Sequence, residues 1–248
     1  MANTREFGLI GNPLEHSFSK DYFSEKFKRE GIDAEYNNFE LPDIGDIMEL
    51  IAESPNLEGF NVTSPYKEAI IPYLDEKDSL VDRIGACNLV KIERTPDGDL
   101  KFIGSNTDYF GFMNSLCDLR FLNNKALILG TGGASKAVEA VLADLGFTAL
   151  KVSRQPTDGQ LSYQDLCECI NDYFLIVNCT PLGTYPNVSI CPDVPFDIMD
   201  SNHLCYDLVY NPAVTEFMRR SADKGAMVKN GLAMLIGQAE RSWEIWNS

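Results

Sequence analysis

Apolar and polar positions alternate in blocks along the first part of the chain. Short apolar runs that predict β-strands stand at "EFGLIG", "AEYNNFEL" and "LEGFNV", and helical periodicity follows each of the first two. The segment "SFSKDYFSEKFKREG" predicts a helix, because Phe23 and Phe27 lie one turn apart and Gly31 is a common kind of stop. "ACNLVKIER" and "LKFIGSN" flank a Pro-Asp-Gly turn and predict a hairpin.

The alternation restarts after "NTDYFGFMNSLCDL", which itself predicts a helix. "KALILG", "TALKVSR", "YFLIVNCT" and "HLCYDLVY" predict strands, and a helix is predicted between the first two. Its apolar stripe consists of Ala134, Val138, Val141, Leu142 and Leu145. The run from about 125 to 229 therefore predicts an open, doubly wound parallel sheet. With the N-terminal block, the prediction is an α/β chain of two domains.

The last predicted helix, "GLAMLIGQAERSWEIW", has an apolar side with one polar residue on it. The predicted apolar residues are Leu232, Leu235, Ile236, Ala239, Trp243 and Trp246. Gln238 falls on the same side, so its amide is expected either to be hydrogen-bonded inside the protein or to face a cleft.

The composition is that of an ordinary globular protein of 248 residues, with 44% hydrophobic and 23% charged residues. No apolar stretch approaches the ~18 residues of a membrane span and no signal-peptide core is present, so we expect a cytoplasmic protein. The net charge of −16 argues against nucleic acid and anionic membranes as partners. Because that charge repels anions at long range, an acidic substrate would need local donors.

Seven cysteines are scattered along the chain, an odd number that fits no disulfide framework. Cys167 and Cys169 are too close for a C-x-x-C motif, and the only histidines are His16 and His203. We expect reduced, mostly buried thiols, no metal site and no histidine-based triad.

The most informative motif is the glycine cluster G130-T-G-G-A134, between the apolar run "ALIL" and a predicted helix. Glycines there allow a tight turn and a close approach to a pyrophosphate, and the helix N-terminus supplies N–H donors. A glycine cluster can also be only a turn. Its place directly after a strand favours dinucleotide binding.

The end of the next predicted strand distinguishes the two common dinucleotides. NAD enzymes place an acidic residue there for the ribose 2′-hydroxyl, but this chain reads K151-V-S-R154. The Arg154 guanidinium suits a 2′-phosphate by charge and geometry, so NADP is favoured. The alternative is that Arg154 is an ordinary surface arginine.

Charged and hydroxyl side chains follow the predicted strands of the first block. Lys67 ends N61-V-T-S-P-Y-K67, and we expect it at the start of a helix in a cleft. Asp108 follows another strand; if the two meet, the carboxylate orients a proton-donating ammonium, and otherwise each is a surface charge. Ser17 and Ser19 precede the first helix, where each could cap it or bind a carboxylate.

Together these stretches resemble the shikimate dehydrogenase family over nearly the whole chain. The matching motifs are G11-N-P-L-E-H-S17-F-S19, F60-N-V-T63-S-P-Y-K67, G85-A-C-N88, G104-S-N-T-D108, G130-T-G-G-A134, N178-C-T-P-L-G183, Y206-D-L-V-Y-N-P212 and G231-L-A-M-L-I-G-Q238. The resemblance implies a substrate-binding catalytic domain over residues 1–108, a Rossmann-like NADP domain over 109–229, and a helix over 230–248 that packs back on the first domain. The implied reaction is the reversible NADPH-dependent reduction of 3-dehydroshikimate to shikimate.

The same resemblance implies a role for each matched residue. Lys67 and Asp108 would be the catalytic pair. Substrate binding would involve Ser17, Ser19, Thr63, Asn88, Tyr210 and Gln238. NADP would be held by Gly130, Thr131, Gly132, Gly133, Ala134, Ser153, Arg154, Thr180, Leu208 and Gly231. A monomer and a homodimer both fit.

Two alternatives stay open from the sequence. One is a paralogue acting on quinate or on an amino analogue, since the carboxylate-site neighbours and the loop after Ser153 do not decide the substrate or the cofactor. The other is a dinucleotide-binding regulator that has lost catalysis. The presence of Lys67, Asp108, both motif serines (Ser17 and Ser19) and Gln238 counts against it.

Overall fold

The computed structural model describes residues 4–14, 18–95 and 97–248 of the chain. The fold divides into two compact units. The first comprises Met1–Thr107 with Ala239–Ser248, and the second comprises Asp108–Gln238. The chain therefore leaves the first unit once and returns to it with its C-terminal residues.

Strands and helices alternate along the described residues. The strands are β1 (Arg5–Gly11), β2 (Ala34–Glu40), β3 (Leu57–Val62), β4 (Glu76–Lys77), β5 (Leu89–Arg94), β6 (Leu100–Ser105), β7 (Lys125–Leu129), β8 (Thr148–Ser153), β9 (Leu161–Ser162), β10 (Leu175–Asn178), β11 (Leu204–Asp207) and β12 (Met227–Lys229). The α-helices are α1 (Phe18–Glu30), α2 (Ile47–Glu53), α3 (Ser79–Ile84), α4 (Thr107–Ser115), α5 (Gly133–Asp144), α6 (Leu166–Cys169), α7 (Glu216–Ala222) and α8 (Leu232–Trp246). The strands and helices predicted from the sequence are present, except for the helix expected to begin at Lys67.

The first unit is built on a mixed sheet with the order β2-β1-β3-β5-β6-β4. Strand β1 pairs in parallel with β2 and β3, whereas β5 runs antiparallel to both β3 and β6. The carboxyl ends of β1, β3 and β6 and the amino end of β5 therefore lie at one edge of the sheet. That edge is where the sequence places its polar motifs.

The second unit is built on a parallel sheet with the order β12-β11-β10-β7-β8-β9. Counted from β9, this is the 3-2-1-4-5-6 order of a doubly wound dinucleotide-binding sheet. The order reverses between β7 and β10, where such sheets have their ligand crevice. The predicted α/β architecture, with a Rossmann-like second sheet, is confirmed.

Aromatic packing holds the C-terminal half of α8 in the first unit. Trp246 is 4% exposed, lies 4.7 Å from the Phe7 ring centroid, and donates from Nε1 to the Val90 carbonyl at 3.0 Å. A side chain at Gly59 would place its Cβ 2.3 Å from Trp246 Nε1, so only glycine permits this approach. These contacts fix α8 against β1, β3 and β5.

A buried ammonium ties α8 to α1. Lys26 is 5% exposed, and its Nζ donates to Glu240 at 2.8 Å and to Glu30 at 3.1 Å. The Tyr22 hydroxyl also donates to Glu240. Because a buried charge must be paired to be tolerated, this cluster fixes how α8 lies beside α1.

The buried side of α8 differs from the predicted one. Leu232 is 39% exposed and Ile236 is 37% exposed, so their assignment to an apolar side is wrong. The buried side contains Met234, Gln238, Ala239, Ser242 and Trp246. Two of these, Gln238 and Ser242, are polar. The periodicity of apolar residues does not reveal a buried helix face that includes polar residues.

The cysteines are free thiols, but most of them are not buried. Cys87 and Cys205 are buried, Cys117 and Cys167 are exposed, and the other three are intermediate. The prediction of mostly buried thiols is therefore wrong. Burial raises the pKa of Cys87 and of Cys205 to about 12, which keeps both protonated at neutral pH.

None of the helices in residues 4–14, 18–95 and 97–248 combines the length and the apolar content that a membrane span requires.

A buried carboxylate joins neighbouring strands in the second unit. Asp207, at the end of β11, is 0% exposed and accepts hydrogen bonds from Thr215 Oγ1 at 2.6 Å, Asn178 Nδ2 at 2.9 Å and the Val209 amide at 3.0 Å. Asn178 ends β10 and lies directly opposite Asp207 in the sheet. Burial raises the pKa of Asp207 to about 6, although the three donors oppose that rise.

The raised pKa makes a prediction about stability. The folded state prefers neutral Asp207, so its contribution to the free energy of unfolding decreases as the pH rises from its ordinary pKa through about 6. Asp207→Asn removes this ionisation. Between about pH 5 and about pH 7.5, the wild-type free energy of unfolding should fall relative to that of Asp207→Asn by roughly 1 kcal/mol.

Urea unfolding of both proteins across this pH range measures the difference. Asp197→Asn is the control: Asp197 pairs with Lys224, which lowers its pKa below the ordinary value, so Asp197 is ionised in both states and its wild-type-minus-variant difference should stay constant across this range. An Asp207→Asn difference that does not vary with pH would contradict the assignment.

Candidate active site

The close approach of two strand ends begins the site in the first unit. The Thr63 amide, just after β3, donates to the Ile10 carbonyl at 2.8 Å, and the Asn12 amide donates to the Ser64 carbonyl at 3.1 Å. A side chain at Gly11 would place its Cβ 2.4 Å from Thr63 Cγ2. Glycine at position 11 is therefore what lets Thr63 lie beside the end of β1.

Lys67 follows Thr63 in a series of turns. Residues 64–70 form turns, and a 3-10 helix, Ile71–Tyr73, follows them. The prediction that Lys67 begins a helix is wrong, because the chain turns back toward β5 first. The Lys67 carbonyl accepts from the Cys87 amide at 2.7 Å, which places this turn beside the residue that precedes Asn88.

Asn88 directly precedes β5 and is 3% exposed. Its carbonyl accepts from the Val62 amide at 2.9 Å, so it is adjacent to the end of β3 and to Thr63. Its side chain accepts from the Thr107 amide at 2.7 Å and donates to Thr107 Oγ1 at 3.0 Å. The structure thus brings Thr63, Lys67 and Asn88 to one edge of the first sheet.

Ser19 lies in the first turn of α1 and is 8% exposed. It is hydrogen-bonded to the phenol of Tyr36, whose pKa burial raises. The phenol in turn donates to Asn61 Oδ1 at 2.8 Å. Ser17, the other predicted carboxylate ligand, lies outside the described residues.

Asp108 and Gln238 lie near a tight helix crossing in the second unit. Asp108 is 6% exposed and stands in α4, one turn before Gly111. A Cβ on Gly111 would lie 2.4 Å from the Met234 carbonyl oxygen and 2.9 Å from the Gln238 amide nitrogen, and Gly237 lies against Gly111 in the same way. The glycines bring the backbones of α4 and α8 together and place the 9% exposed Gln238 beside α4.

The glycine cluster stands at the reversal point of the second sheet. Gly130 follows β7 with a φ of +104, and a side chain there would place its Cβ 3.0 Å from Thr180 Cγ2. Gly132 is the N-cap of α5, and a side chain there would meet nothing within 4 Å. The first glycine therefore allows the turn, and the second leaves the helix N-terminus open. Thr131 is exposed, and Gly133 and Ala134 are half-buried.

Hydrogen bonds to Asn178 orient Thr180. Its amide and its Oγ1 donate to Asn178 Oδ1 at 3.0 and 2.7 Å, while Asn178 Nδ2 donates to Asp207. Because the carboxylate can only accept, the Asn178 amide has one orientation. The buried cluster at the ends of β10 and β11 thus orients Thr180.

The remaining predicted cofactor residues lie around the same sheet. Gly231 is buried, and its Cβ would lie 2.1 Å from the Leu208 carbonyl oxygen, so these two are in direct contact. Tyr210 is half-buried. Ser153 ends β8, and Arg154 beside it is exposed. Burial raises the pKa of the Tyr163 phenol, and the positive charge of the Arg154 guanidinium partly opposes that rise.

Several residues of these clusters were not identified from the sequence. They are Tyr36, Asn61, Thr107, Asp207, Thr215 and Ser242. Some of them share one signal, a polar side chain within an apolar stretch, such as Asn61 in "LEGFNV" or Ser242 on the buried side of α8. That signal marks a buried hydrogen bond but does not name the partner.

Comparisons with known protein families and with individual proteins point to the same family. The family model described as the shikimate dehydrogenase substrate binding domain matches residues 9–90. A protein of Methanosphaera stadtmanae named shikimate dehydrogenase (NADP(+)) is 33% identical over 96% of this chain and 90% of its own length. A protein of the same name from Clostridium botulinum is 34% identical over 96% and 95% of the two chains.

Solved structures of the same family are similar to this chain over nearly its whole length. The crystal structure of shikimate dehydrogenase 1 from Peptoclostridium difficile is 37% identical with a TM-score of 0.85, covering 98% of this chain and 92% of that one. Shikimate 5-dehydrogenase from Thermus thermophilus, in complex with NADP(H) and shikimate, is 29% identical with a TM-score of 0.82 and covers 98% and 93%. On this similarity over nearly its whole length, the chain belongs to the shikimate dehydrogenase family.

Proposed function

We propose that this chain catalyses the reversible reduction of 3-dehydroshikimate to shikimate with NADPH, a step of aromatic amino acid (chorismate) biosynthesis. The observation that carries the proposal is the group of Thr63, Lys67 and Asn88 at one edge of the first sheet. It combines neutral donors for hydroxyls with one ammonium that can donate a proton. Relatives named for this activity match almost the full chain.

The proposed substrate is a carboxylate, which a chain of net charge −16 does not attract at long range. Short-range hydroxyl and amide donors would therefore have to hold it. Ser17, Ser19 and Tyr210 are the proposed carboxylate ligands. The proposed ligands of the ring hydroxyls are Thr63, Asn88, Asp108 and Gln238.

Lys67 and Asp108 are the proposed catalytic residues. The Lys67 ammonium would donate a proton to the alkoxide that forms as the carbonyl is reduced, and would accept one in the reverse direction. Its positive charge would also stabilise the alkoxide before the proton moves. Asp108 would orient the ammonium and accept a hydrogen bond from a substrate hydroxyl.

The residues of the second unit fit a dinucleotide. The open N-terminus of α5 at Gly132 and the tight turn at Gly130 suit a pyrophosphate. Bound NADPH would supply the hydride. The pyrophosphate ligands would be Gly130, Thr131, Gly132, Gly133 and Ala134; Thr180, Leu208 and Gly231 would lie beside the nicotinamide half, and Ser153 and Arg154 beside the adenosine half.

The proposal extends to domain roles and setting. The first unit would bind substrate and the second NADP; the boundaries 1–108 and 109–229, with a helix over 230–248 packed back on the first domain, stay a prediction from the sequence. Free thiols at all seven cysteines suit the reducing cytoplasm. The partners would be small molecules rather than nucleic acid or membrane, with the chain a monomer or a homodimer.

Lys67→Ala tests the catalytic assignment. If the ammonium acts in the transition state, kcat for shikimate oxidation should fall by about a thousandfold while KM for shikimate changes only a few-fold. Steady-state rates of NADPH formation measure both. Lys101→Ala is the control, because Lys101 is a surface lysine of the same unit paired with Glu76, and it should retain wild-type rates. A loss confined to KM would make Lys67 a binding residue instead.

Arg154→Ala tests the cofactor assignment. Without the guanidinium, KM for NADPH should rise by about tenfold, because a 2′-phosphate loses its charge-assisted partner. KM for NADH should stay within about twofold. Arg120→Ala removes an exposed positive charge from the same unit and should leave both constants unchanged. Equal losses for the two cofactors would refute the role in 2′-phosphate binding.

A further inference from the structure

A continuous chain of buried hydrogen bonds runs through the first unit from Tyr36 to Asn88. It passes through Asn61, Ser242 and Thr107. Ser242 belongs to α8 and is 0% exposed, although it lies 181 residues from Asn61 in sequence. The C-terminal helix therefore contributes a hydroxyl to the polar interior beneath the proposed substrate site.

Backbone groups fix the orientation of both amides in this chain. Asn61 Nδ2 lies 3.3 Å from the Asn88 carbonyl oxygen, which can only accept, so Asn61 Oδ1 must face the Tyr36 hydroxyl. The Thr107 amide can only donate, so Asn88 Oδ1 must face it and Asn88 Nδ2 must face Thr107 Oγ1. A half-turn of the Asn61 amide would place its oxygen against the Asn88 carbonyl oxygen. A half-turn of the Asn88 amide would place its NH2 group against the Thr107 N–H.

Ser242 is the point where the two amide arrangements meet. Its Oγ accepts from Asn61 Nδ2 at 2.9 Å and lies 3.3 Å from Thr107 Oγ1, within hydrogen-bond distance. The first contact supports Asn61, which is bonded to the Asn88 backbone. The second supports Thr107, which is bonded to the Asn88 side chain. One hydroxyl therefore supports Asn88 from both sides.

We propose that Ser242 is a positioning residue that sets shikimate affinity by holding Asn88 in place through Asn61 and Thr107. The inference rests on the proposed function, because it takes Asn88 as a ligand of a substrate hydroxyl. Loss of the Ser242 hydroxyl leaves Asn61 Nδ2 with the longer bond to the Asn88 carbonyl. A buried donor that loses its better partner shifts toward another one, and such a shift moves Asn88.

The same chain reaches the carboxylate side of the proposed site. The Tyr36 phenol that donates to Asn61 is also hydrogen-bonded to Ser19. Asn61 therefore lies between Ser19 and Asn88, and Ser242 supports it from α8. The return of the chain to the first unit thus serves the substrate site as well as the fold.

Ser242→Ala tests the proposal, with Ser221→Ala as its matched control. Ser221 is also a 0% exposed serine on a helix, but its hydroxyl donates to the Phe217 carbonyl of its own helix α7. Ser242→Ala should raise KM for shikimate by about tenfold and leave KM for NADP within about twofold. Ser221→Ala should change neither constant, while its thermal midpoint should fall by a similar amount.

Tyr36→Phe provides a second, independent variant that preserves the buried ring. It removes the donor to Asn61 Oδ1 and should also raise KM for shikimate. Both substitutions disturb Asn61, and Tyr36→Phe also removes the bond to Ser19, so their combined effect in Tyr36→Phe/Ser242→Ala should be smaller than the sum of the two. Should Ser242→Ala fail to fold, an unchanged KM for shikimate in Tyr36→Phe would overturn the proposal.

Wild-type turnover separates this inference from the proposed function. If the wild-type protein does not oxidise shikimate, the proposed function fails and the inference fails with it. If the wild-type protein is active and Ser242→Ala has the same KM for shikimate as Ser221→Ala, only the positioning role is refuted. Independent, additive effects of Tyr36→Phe and Ser242→Ala would also refute it.

Discussion

The hydrogen bond from the Val62 amide to the Asn88 carbonyl, 2.9 Å long, joins the end of β3 to the start of β5. Everything proposed for the first unit depends on this junction. It places Thr63 beside Asn88, it leaves the Asn88 carbonyl next to Asn61 Nδ2, and it lets the Lys67 turn fold back onto Cys87. A mixed sheet makes it possible, because only an antiparallel β5 begins where β3 ends.

The two units solve the same physical problem in similar ways. Each sheet has polar side chains at its strand ends, where ligands of α/β proteins bind, and these side chains are buried enough to need partners. In the first unit Asn61 and Asn88 are oriented by backbone groups and by Ser242. In the second unit Thr180 is oriented by Asn178, which Asp207 orients in turn. Residues that would touch ligand are thus held by residues that would not.

Neutral donors also explain how an acidic protein could bind an acid. A lysine-rich pocket could bind an anion by adding enough positive charge to overcome the negative charge of the chain. The first unit instead has hydroxyls and amides at the sheet edge to which Lys67 belongs. Hydrogen bonds from fixed neutral groups act at short range and need no favourable field. Their geometry matters more for that reason, and we therefore propose that the support of Asn88 by α8 affects substrate binding.

The sequence predicted most of the longer strands and helices, because their signals are local, but it did not predict the short β4, β9 and β12 or the helices α3, α6 and α7. The glycine cluster after β7, Arg154 after β8 and the stop at Gly31 all follow from a few neighbouring residues. The helix expected at Lys67 was wrong because the path of the chain there depends on a bond to the Cys87 amide.

The buried side of α8 was also mispredicted, for a related reason. Ser242 is buried and accepts a hydrogen bond from Asn61, which lies far away in sequence, whereas Leu232 and Ile236 remain partly exposed despite their apolar side chains. A pattern of apolar positions records which residues avoid water, but it does not record which polar residues have partners inside.

The most direct measurement is the initial rate of the purified wild-type protein, followed by NADPH or NADH absorbance, with shikimate or quinate and with NADP or NAD. We expect kcat/KM to be highest for shikimate with NADP. A higher value with quinate or with NAD would contradict the substrate or cofactor assigned here. Tight cofactor binding without turnover for any pair would contradict the enzymatic function itself and identify the chain as a dinucleotide-binding regulator.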